Sequence, residues 1–506
     1  MCGIIGYVGK EQAAPILMDG LRRLEYRGYD SSGIAVMNGS QSIAVRKKSG
    51  RLQNLRELLE GNPAEGDCGL SHTRWATHGE PSDENAHPHA DQSGKLAMVH
   101  NGVIENYQKL KDALEAEGHV FKSQTDSEVL AHLIGKYFDE AHEANLQKRL
   151  VAAVRESLTH ISGTYGIVVM HAEVPRFLVG ARLGSPLIVG LGKGENFLAS
   201  DVSAVVSHTS DAIYLSDRDL IYMTDKEFRI ENVDGDPSDY EVSTVDFTPE
   251  QAEKGDFPHY MLKEIYEQPS SIQNAFRGRL LDDEASALLG GLGLTPKELR
   301  DVDRIVLCGC GTASHAAMVG EYMIEHLSRI PTEVEIASEF RYRNPPLDKN
   351  TLVFVISQSG ETIDTLAAMR EGQRKGHRVL GIVNSVGSTI ARESDGGSYL
   401  YSGPEIGVAA TKSFTSQATL LCLLALLLGR MRHLSFDYGK KLLEEIRQLP
   451  AKVEKILEQS DHIKAIAEKY IDAPGMLFMG RQFNYATALE GALKMKEISY
   501  IFASGH

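Results

Sequence analysis

The second residue of the chain is a cysteine, and this position offers the thiol a chemistry that other cysteines lack. Cys2 follows the initiator methionine, and a small second residue normally permits removal of that methionine. Removal leaves a thiol and a free α-amine on one residue. Because an α-amine titrates at about pH 7.7–8.0, it can accept the thiol proton through a water at neutral pH. The position favours a nucleophile with its own base. Considered alone, however, a cysteine is more often a packing residue.

A second group of polar residues stands where a strand meets a helix. Residues 351–356 form an apolar run typical of a buried parallel strand, and Ser357, Gln358, Ser359 and Thr362 follow it. This turn presents hydroxyl and backbone N–H groups at the N-terminus of a helix that begins near Thr362, which suits a phosphate dianion. An ordinary helix cap explains one such hydroxyl but not the whole run. The turn therefore predicts a phosphate site.

Two ionisable residues near the end of the chain have helical spacing. Lys494 and Glu497 stand three residues apart, so a helix places both on one face. A carboxylate and a cation on one face can move a proton on a shared substrate. A surface ion pair without function is the commoner meaning of this spacing.

A cluster of histidines raises the alternative of a metal site. The spacing argues against a metal, because neither a His-Glu-x-x-His pattern nor a Cys-paired pattern is present, and Pro88 favours an extended loop. We therefore predict no metal site. The histidines are His72, His78, His87, His89 and His100.

Composition excludes several classes of protein. The chain has 506 residues, with 53 Lys and Arg against 69 Asp and Glu, and the net charge of −16 argues against a nucleic-acid partner. Five unevenly spaced cysteines support neither a disulfide framework nor a four-thiolate zinc site and favour a reducing, cytoplasmic compartment. The N-terminus has no signal-peptide pattern, and the longest apolar run, 418–428, is shorter than the ~20 residues of a membrane span. This run predicts a buried helix and no membrane partner.

The pattern of elements predicts several domains. Residues 2–240 alternate short β-rich runs with turns and contain two helical stretches, 105–117 and 126–138, which predicts an α+β domain with sandwiched antiparallel sheets. Acidic, Pro- and Gly-containing sequence marks a linker and connecting helix at 241–290. Residues 291–435 alternate apolar strands with helices, as in a doubly wound parallel sheet, and 450–506 begin a second, incomplete copy of that fold.

Four motifs in the first half carry a family resemblance, and they lie at residues 2–6, 24–33, 72–79 and 100–106. They resemble the glutaminase domain of the N-terminal-nucleophile amidotransferases. The resemblance implies that Cys2 attacks the glutamine amide, that Asn101 and Gly102 stabilise the oxyanion, and that glutamate and ammonia are released. It also implies a glutamine pocket, with Arg74 on the α-carboxylate, Asp126 on the α-ammonium, and further contacts from Trp75, Thr77 and His78.

Motifs in the second half are similar to the phosphosugar-binding signature of sugar isomerase domains, at residues 310–312, 335–343, 357–362, 405–412 and 488–500. The resemblance implies that Glu497 moves a proton between C1 and C2 of a sugar, with Lys494 beside it. It also implies sugar-phosphate contacts from Thr312, Ser357, Gln358, Ser359, Thr362 and Val408.

Together the two resemblances imply an amidotransferase that transfers ammonia from L-glutamine to D-fructose 6-phosphate and isomerises the product. They also imply a homodimer with no metal or redox cofactor. Sequence signatures of asparagine synthetases and phosphoribosyl transferases are absent. Where many members have serine, this chain has Ala313, a minor departure.

The chain ends before the segments in which the family carries a catalytic histidine and an imine-forming lysine, and His506 is not equated with either. We therefore expect intact glutaminase chemistry and impaired sugar amination. A chain that acts only as a glutaminase and a non-catalytic phosphosugar-binding protein are the alternatives.

Overall fold

The computed structural model describes residues 2–25, 28–38, 42–76, 78–245, 251 and 253–506, and the structural statements below concern these residues. Two compact units divide the chain. Unit 1 is Met1–Glu253 and unit 2 is Lys254–His506.

Unit 1 combines antiparallel strands with five helices in its described part. The strands are β1 (Gly3–Val8), β2 (Ser31–Asn38), β3 (Ser42–Ser49), β4 (Cys68–Arg74), β5 (His89–Ala90), β6 (Leu96–Ile104), β7 (Gly163–His171), β8 (Leu178–Leu183), β9 (Ile188–Leu191), β10 (Asn196–Ala199), β11 (Asp211–Tyr214), β12 (Asp219–Met223), β13 (Phe228–Asn232) and β14 (Val242–Thr244). The helices are α1 (Ala13–Leu24), α2 (Leu52–Gly61), α3 (Tyr107–Ala116), α4 (Asp126–Glu140) and α5 (Leu146–His160).

These elements form four layers. Over the described residues, one sheet has the order β14-β11-β9-β10-β1-β4-β2-β3 and the other has the order β13-β12-β8-β7-β6-β5. A core that includes Ile4, Leu70, Val99 and Val168 lies between the sheets. Helices α1 and α2 cover the outer face of the first sheet, and α3, α4 and α5 cover that of the second. The predicted α+β domain with sandwiched antiparallel sheets is confirmed.

Local sequence explains where α4 begins. The Thr125 side chain accepts a hydrogen bond from the Glu128 backbone N–H, and Asp126 and Glu128 lie in the first turn, where the helix dipole favours negative charge. This cap fixes Asp126 at the start of the helix, as the sequence predicts.

The first domain extends past its predicted boundary at residue 240. Strand β14 pairs with β11 at the edge of the eight-stranded sheet, and unit 1 continues to Glu253. Three residues are too few to show the alternation by which a strand is recognised in a sequence.

Unit 2 alternates strands with helices. Its strands are β15 (Leu280–Leu281), β16 (Ser286–Ala287), β17 (Arg304–Gly309), β18 (Thr332–Ile336), β19 (Thr351–Ser357), β20 (Val379–Val383), β21 (Gly397–Tyr399), β22 (Gly475–Phe478) and β23 (Phe502–Gly505). Its helices are α6 (Tyr260–Tyr266), α7 (Gln268–Phe276), α8 (Pro296–Arg300), α9 (Thr312–Ser328), α10 (Ala337–Arg343), α11 (Ile363–Arg374), α12 (Thr389–Glu393), α13 (Lys412–Arg432), α14 (Phe436–Leu457), α15 (Ser460–Glu468) and α16 (Phe483–Ser499).

The central sheet of unit 2 is parallel and has the order β18-β17-β19-β20-β21. Helices α9 and α13 pack on one face, and α10, α11 and α12 pack on the other, so the predicted doubly wound sheet is confirmed. The strand order reverses between β17 and β19. In such sheets a crevice opens at the carboxyl ends of the strands at this point, which is where ligands bind.

The final segment repeats the strand–helix pattern on a smaller scale. Strands β22 and β23 pair in parallel on either side of α16 in the sequence. Helix α16 packs against α9 through the polar contacts described below.

Helix α13 contains the apolar run predicted to be buried. By length and composition it could cross a membrane, with a mean hydropathy of 1.5 over its most apolar 18 residues, but 61% of that window is buried inside the protein. A core helix passes the same test, and Leu420, Leu421 and Leu424 of α13 lie in the core of unit 2.

We expect Leu421→Ala to destabilise unit 2 by about 2–5 kcal/mol, because it removes a fully buried side chain that packs against Gly320 of α9. Thermal unfolding followed by circular dichroism measures the change. The matched variant Ile456→Ala, at a side chain 56% exposed, should change the unfolding temperature little. Equal stability of the two variants would contradict this account of the core.

Candidate functional site

Strand register places Cys2 beside the end of β4. Strands β1 and β4 pair with Gly3 opposite Thr73, so Cys2 lies next to the residues that follow Thr73. Its Sγ accepts a hydrogen bond from the Trp75 backbone N–H at 3.2 Å. Burial raises the pKa of the Cys2 thiol, while the Trp75 backbone and the charge of Arg74 act to lower it. Both favourable contacts stabilise a thiolate.

Asn101 is held in one orientation beside Cys2. Its Nδ2 donates to the Cys2 carbonyl oxygen at 3.1 Å, and its Oδ1 lies 3.0 Å from His72 Nε2. Since an amide oxygen only accepts, Nε2 of His72 must carry the proton. The next residue, Gly102, has φ +136°, and a Cβ there would overlap the Thr164 carbonyl oxygen. Glycine is therefore required at this position.

A guanidinium lies within electrostatic range of the thiol and of an acid. Arg74 donates to the backbone carbonyls of His78, Gly79 and Glu80, the second at 3.2 Å. Burial lowers its pKa, whereas the charges of Cys2, Asp30 and Asp126 raise it. The Asp126 carboxylate accepts from the Ile104 backbone N–H at 2.8 Å. A guanidinium and a carboxylate in one region suit the two charged ends of an α-amino acid.

The turn after β4 is fixed by a residue that sequence reasoning missed. Asp30 accepts from the Ala76 backbone N–H at 2.8 Å, and Trp75, which is 39% exposed, packs edge-on against Tyr29 with ring centroids 5.4 Å apart. Thr77 lies outside the described residues. The motif at 24–33 contains Asp30, but nothing local distinguishes it from a solvated acid.

Four of the five clustered histidines pack around one another. The rings of His72 and His87 stack at 4.1 Å, and His87 lies edge-on to His89 at 4.5 Å. His100 donates its backbone N–H to His87 Nδ1 at 3.3 Å, and His89 Nε2 contacts Thr125 Oγ1 at 3.0 Å. In the described part of the chain, no three His, Cys, Asp or Glu side chains are arranged to hold a metal ion.

Burial lowers the pKa of all four histidines, to about 3 for His72, so they are neutral at pH 7. Their protons bind more tightly in the unfolded chain, so the stability linked to them is present above about pH 6.5 and is lost as the pH falls towards the folded values.

Unit 1 should therefore lose up to about 1.4 kcal/mol per pH unit for each such histidine below pH 6.5. Trp75 is the single tryptophan of the chain, so urea unfolding followed by its fluorescence at pH 7.5, 6.5 and 5.5 reports on unit 1. His87→Gln should reduce the pH dependence, and the control His142→Gln should leave it unchanged. A free energy of unfolding that is constant over this range would contradict the assignment.

Unit 2 has a polar cavity of about 140 Å³ at the switch point of its sheet. The start of α9 contributes Thr312, and the turn before α11 contributes Ser357 to Ser359 and Thr362, so the N-terminal ends of two helices line it. Among the described residues, the lining side chains Thr365, Ser413 and Gln417 each have a buried oxygen without a hydrogen-bond partner. The cavity is polar and keeps unused hydrogen-bonding capacity.

The turn after β19 is built by its own hydroxyls. Ser357 Oγ lies 3.0 Å from Thr362 Oγ1 and accepts from the Gly360 backbone N–H at 3.0 Å. Ser359 Oγ accepts from the Glu361 backbone N–H at 3.2 Å. Gly360 has φ +66°, and a Cβ there would overlap Ser388 Oγ.

An acid–base cluster adjoins this cavity through Thr312. Thr312 Oγ1 donates to Glu490 at 2.8 Å and accepts from Lys494 Nζ at 3.0 Å. Lys494 also pairs with Glu497 at 2.6 Å, and His315 Nδ1 lies 2.7 Å from Glu490. Burial acts to raise the pKa of Glu490, but His315, Lys494 and Thr312 together lower it.

The structure brings most of the predicted residues together within each unit. Lys494 contacts Thr312, which lines the cavity, and Glu497 pairs with Lys494. Val408 is 57% exposed and lies two residues from Ala410, which lines the cavity. Sequence reasoning did not select Glu490 or His315, although the motif at 488–500 contains Glu490.

Comparisons with known proteins agree with both halves. A family described as glutamine amidotransferase domain matches residues 72–207, and the SIS domain family matches residues 298–427. Fold and sites define a glutamine amidotransferase domain joined to a sugar isomerase domain.

Full-length relatives identify the combination. The glutamine–fructose-6-phosphate aminotransferases [isomerizing] of Chlorobaculum tepidum and Thermus thermophilus are each 50% identical to this chain, over 509 and 507 residues, which is 100% of this chain and 82% of each relative. The solved C-terminal domain of the glucosamine-fructose-6-phosphate aminotransferase from Francisella tularensis is 37% identical, with a TM-score of 0.48, covering 50% of this chain and 71% of that one. The chain belongs to the glutamine–fructose-6-phosphate aminotransferase (isomerizing) family.

Proposed function

We propose that the chain catalyses the full reaction, and not the glutaminase step alone or sugar binding alone: it converts L-glutamine and D-fructose 6-phosphate into L-glutamate and D-glucosamine 6-phosphate. Water adds to the glutamine amide to release ammonia, and ammonia replaces the ketose oxygen as water while C1 and C2 isomerise. One observation supports this proposal above the others: a single chain holds both Cys2, whose thiol accepts from the Trp75 N–H and whose carbonyl accepts from Asn101 Nδ2, and a polar cavity lined by two helix N-terminal ends.

In the glutaminase half, the Cys2 thiolate attacks the amide carbon, and the tetrahedral oxyanion is stabilised by Asn101 Nδ2 and the Gly102 backbone N–H. The Cys2 α-amine, which takes the thiol proton, passes it to the leaving nitrogen, so that collapse expels ammonia and leaves a glutamyl thioester, which water hydrolyses to glutamate. Arg74 and Asp126 bind the two charged ends of glutamine, and Trp75 and His78 complete the pocket. A role for Thr77 stays a prediction.

In the sugar half, the hydroxyls and backbone N–H groups of Ser357, Gln358, Ser359 and Thr362 bind the phosphate. Glu497 carries the proton between C1 and C2, and Lys494, paired with it at 2.6 Å, steadies its charge. Thr312 binds the sugar beside this pair. A homodimer, a cytoplasmic location, and the absence of metal, membrane and nucleic-acid partners stay predictions.

Exchanging Cys2 for Ala should abolish both glutamate and glucosamine 6-phosphate formation from glutamine and fructose 6-phosphate, because no thioester can form. Coupled assays of both products, with and without fructose 6-phosphate, measure this. The control Cys422→Ala, at a partly buried cysteine of α13, should keep the glutaminase rate. Glutamate release by Cys2→Ala would overturn the nucleophile assignment, and a native chain that released glutamate alone would overturn the transfer to the sugar.

Thr362→Val should raise the KM for fructose 6-phosphate about tenfold, because it removes a hydroxyl from the phosphate turn, and should leave glutamate release without sugar unchanged. The matched variant Thr487→Val changes an exposed hydroxyl that donates within α16 and should have no effect. An unchanged KM in Thr362→Val would contradict the phosphate assignment.

A further inference from the structure

The segment between β21 and α13 has few backbone partners of its own. We call residues 405–411 the 405–411 loop. Two carboxylates bind its backbone. Glu405 accepts from the Thr411 N–H at 2.8 Å and from the Ser413 N–H at 3.1 Å, closing the loop onto the start of α13.

The second carboxylate comes from a distant helix. Glu264 of α6 accepts from the Ile406 N–H at 2.5 Å and from the Gly407 N–H at 2.9 Å. Its side chain is only 2% exposed, and a Cβ on Gly407 would lie 2.5 Å from its Oε2. Carboxylate and loop therefore fit each other closely, with no room for a side chain at position 407.

This arrangement places two acids near each other. Burial first, and then the charge of Glu405, raise the pKa of Glu264 to about 7. Lys412, which is 2% exposed, pairs at 2.6 Å with Glu267, the residue that follows α6. Its positive charge offsets part of the repulsion between Glu264 and Glu405. Burying an acid beside a like charge costs free energy of folding, so a contribution to stability alone is a weak reason for Glu264 to occur here.

The loop adjoins the phosphosugar cavity. Ala410 and Ser413 line that cavity, and Val408, the predicted sugar contact, directly follows the two N–H groups that Glu264 binds. A shift at Gly407 would therefore move Val408 and Ala410 together.

We propose that Glu264 is a positioning residue for the phosphosugar: it holds the 405–411 loop so that Val408 and Ala410 form one edge of the sugar site. This inference rests on the proposed function, since it assigns Glu264 to the same cavity. It implies that α6, which begins six residues after the start of unit 2, sets the affinity for the sugar.

The test compares variants at Glu264 by calorimetric titration with fructose 6-phosphate and by the glutaminase rate without sugar. Glu264→Ala leaves two N–H groups without acceptors and should weaken sugar binding about tenfold or more. Glu264→Gln keeps an oxygen acceptor and should bind within about threefold of the native chain. The matched control Glu321→Ala, at a partly buried acid of unit 2 whose pKa burial also raises to about 7, should bind normally.

A purely structural role predicts a different pattern. It would lower the unfolding temperature of Glu264→Ala without changing the dissociation constant for fructose 6-phosphate, and that result would overturn the proposal. Failure of the native chain to bind fructose 6-phosphate would instead overturn the proposed function.

Gly407→Ala provides a test that does not depend on the folding of Glu264→Ala. Its methyl group should push the loop from Glu264 and weaken sugar binding by a similar factor. In the double variant Glu264→Ala with Gly407→Ala, the losses of sugar affinity caused by the two single substitutions should be clearly less than additive, because the methyl group at position 407 then meets no carboxylate. Normal sugar affinity in Gly407→Ala, or full additivity, would count against the proposal.

Discussion

A backbone N–H group just beyond the end of a strand has no partner in the sheet and needs another acceptor, and both functional regions lie where such groups occur. In unit 1 the Trp75 N–H, just beyond β4, is bound by the Cys2 sulfur. In unit 2 the Gly360 N–H, just beyond β19, is bound by the Ser357 hydroxyl. The same groups that end the strands thus create the polar surroundings in which an anion, whether a thiolate or a phosphate, is stable.

The histidine cluster of unit 1 and the acid–base cluster of unit 2 differ in whether their side chains carry charge. In unit 1, burial keeps His72, His87, His89 and His100 neutral, so the wall behind Asn101 carries no charge that would compete for an oxyanion. In unit 2, charges are retained and paired, as in the contacts of Lys494 with Glu490 and Glu497. Neutral histidines leave the Asn101 amide and the Gly102 N–H as the groups that would stabilise a short-lived oxyanion, whereas a cluster of charged groups suits the transfer of a proton.

Sequence patterns predicted features whose causes are local. The start of α4 at Asp126, the strand before Ser357 and the Lys494–Glu497 spacing each depend on residues a few positions apart, so single segments reveal them. The fold class followed because alternation and apolar runs report which faces are buried.

Features with distant causes were not predictable in this way. Glu490 acquires its role from Thr312, 178 residues away, and Glu264 from Gly407, 143 residues away. Asp30 meets the turn after β4 across 46 residues. Each is an ordinary acid within its own segment of sequence. Only the fold brings it to the distant N–H or O–H group from which it accepts a hydrogen bond. Strand β14 was missed for another reason, since its pairing with β11 and not its composition makes it a strand.

Thr312 shows why the sheet topology matters to the chemistry. The reversal of strand order between β17 and β19 opens the crevice, and the first residue of α9 lies at its edge. From there one hydroxyl faces the cavity and also joins Glu490 to Lys494. A phosphate bound in the cavity, as proposed, would therefore share the Thr312 side chain with the acid–base cluster. Moving the site to any other pair of strands would lose the crevice and separate the cavity from the cluster on α16.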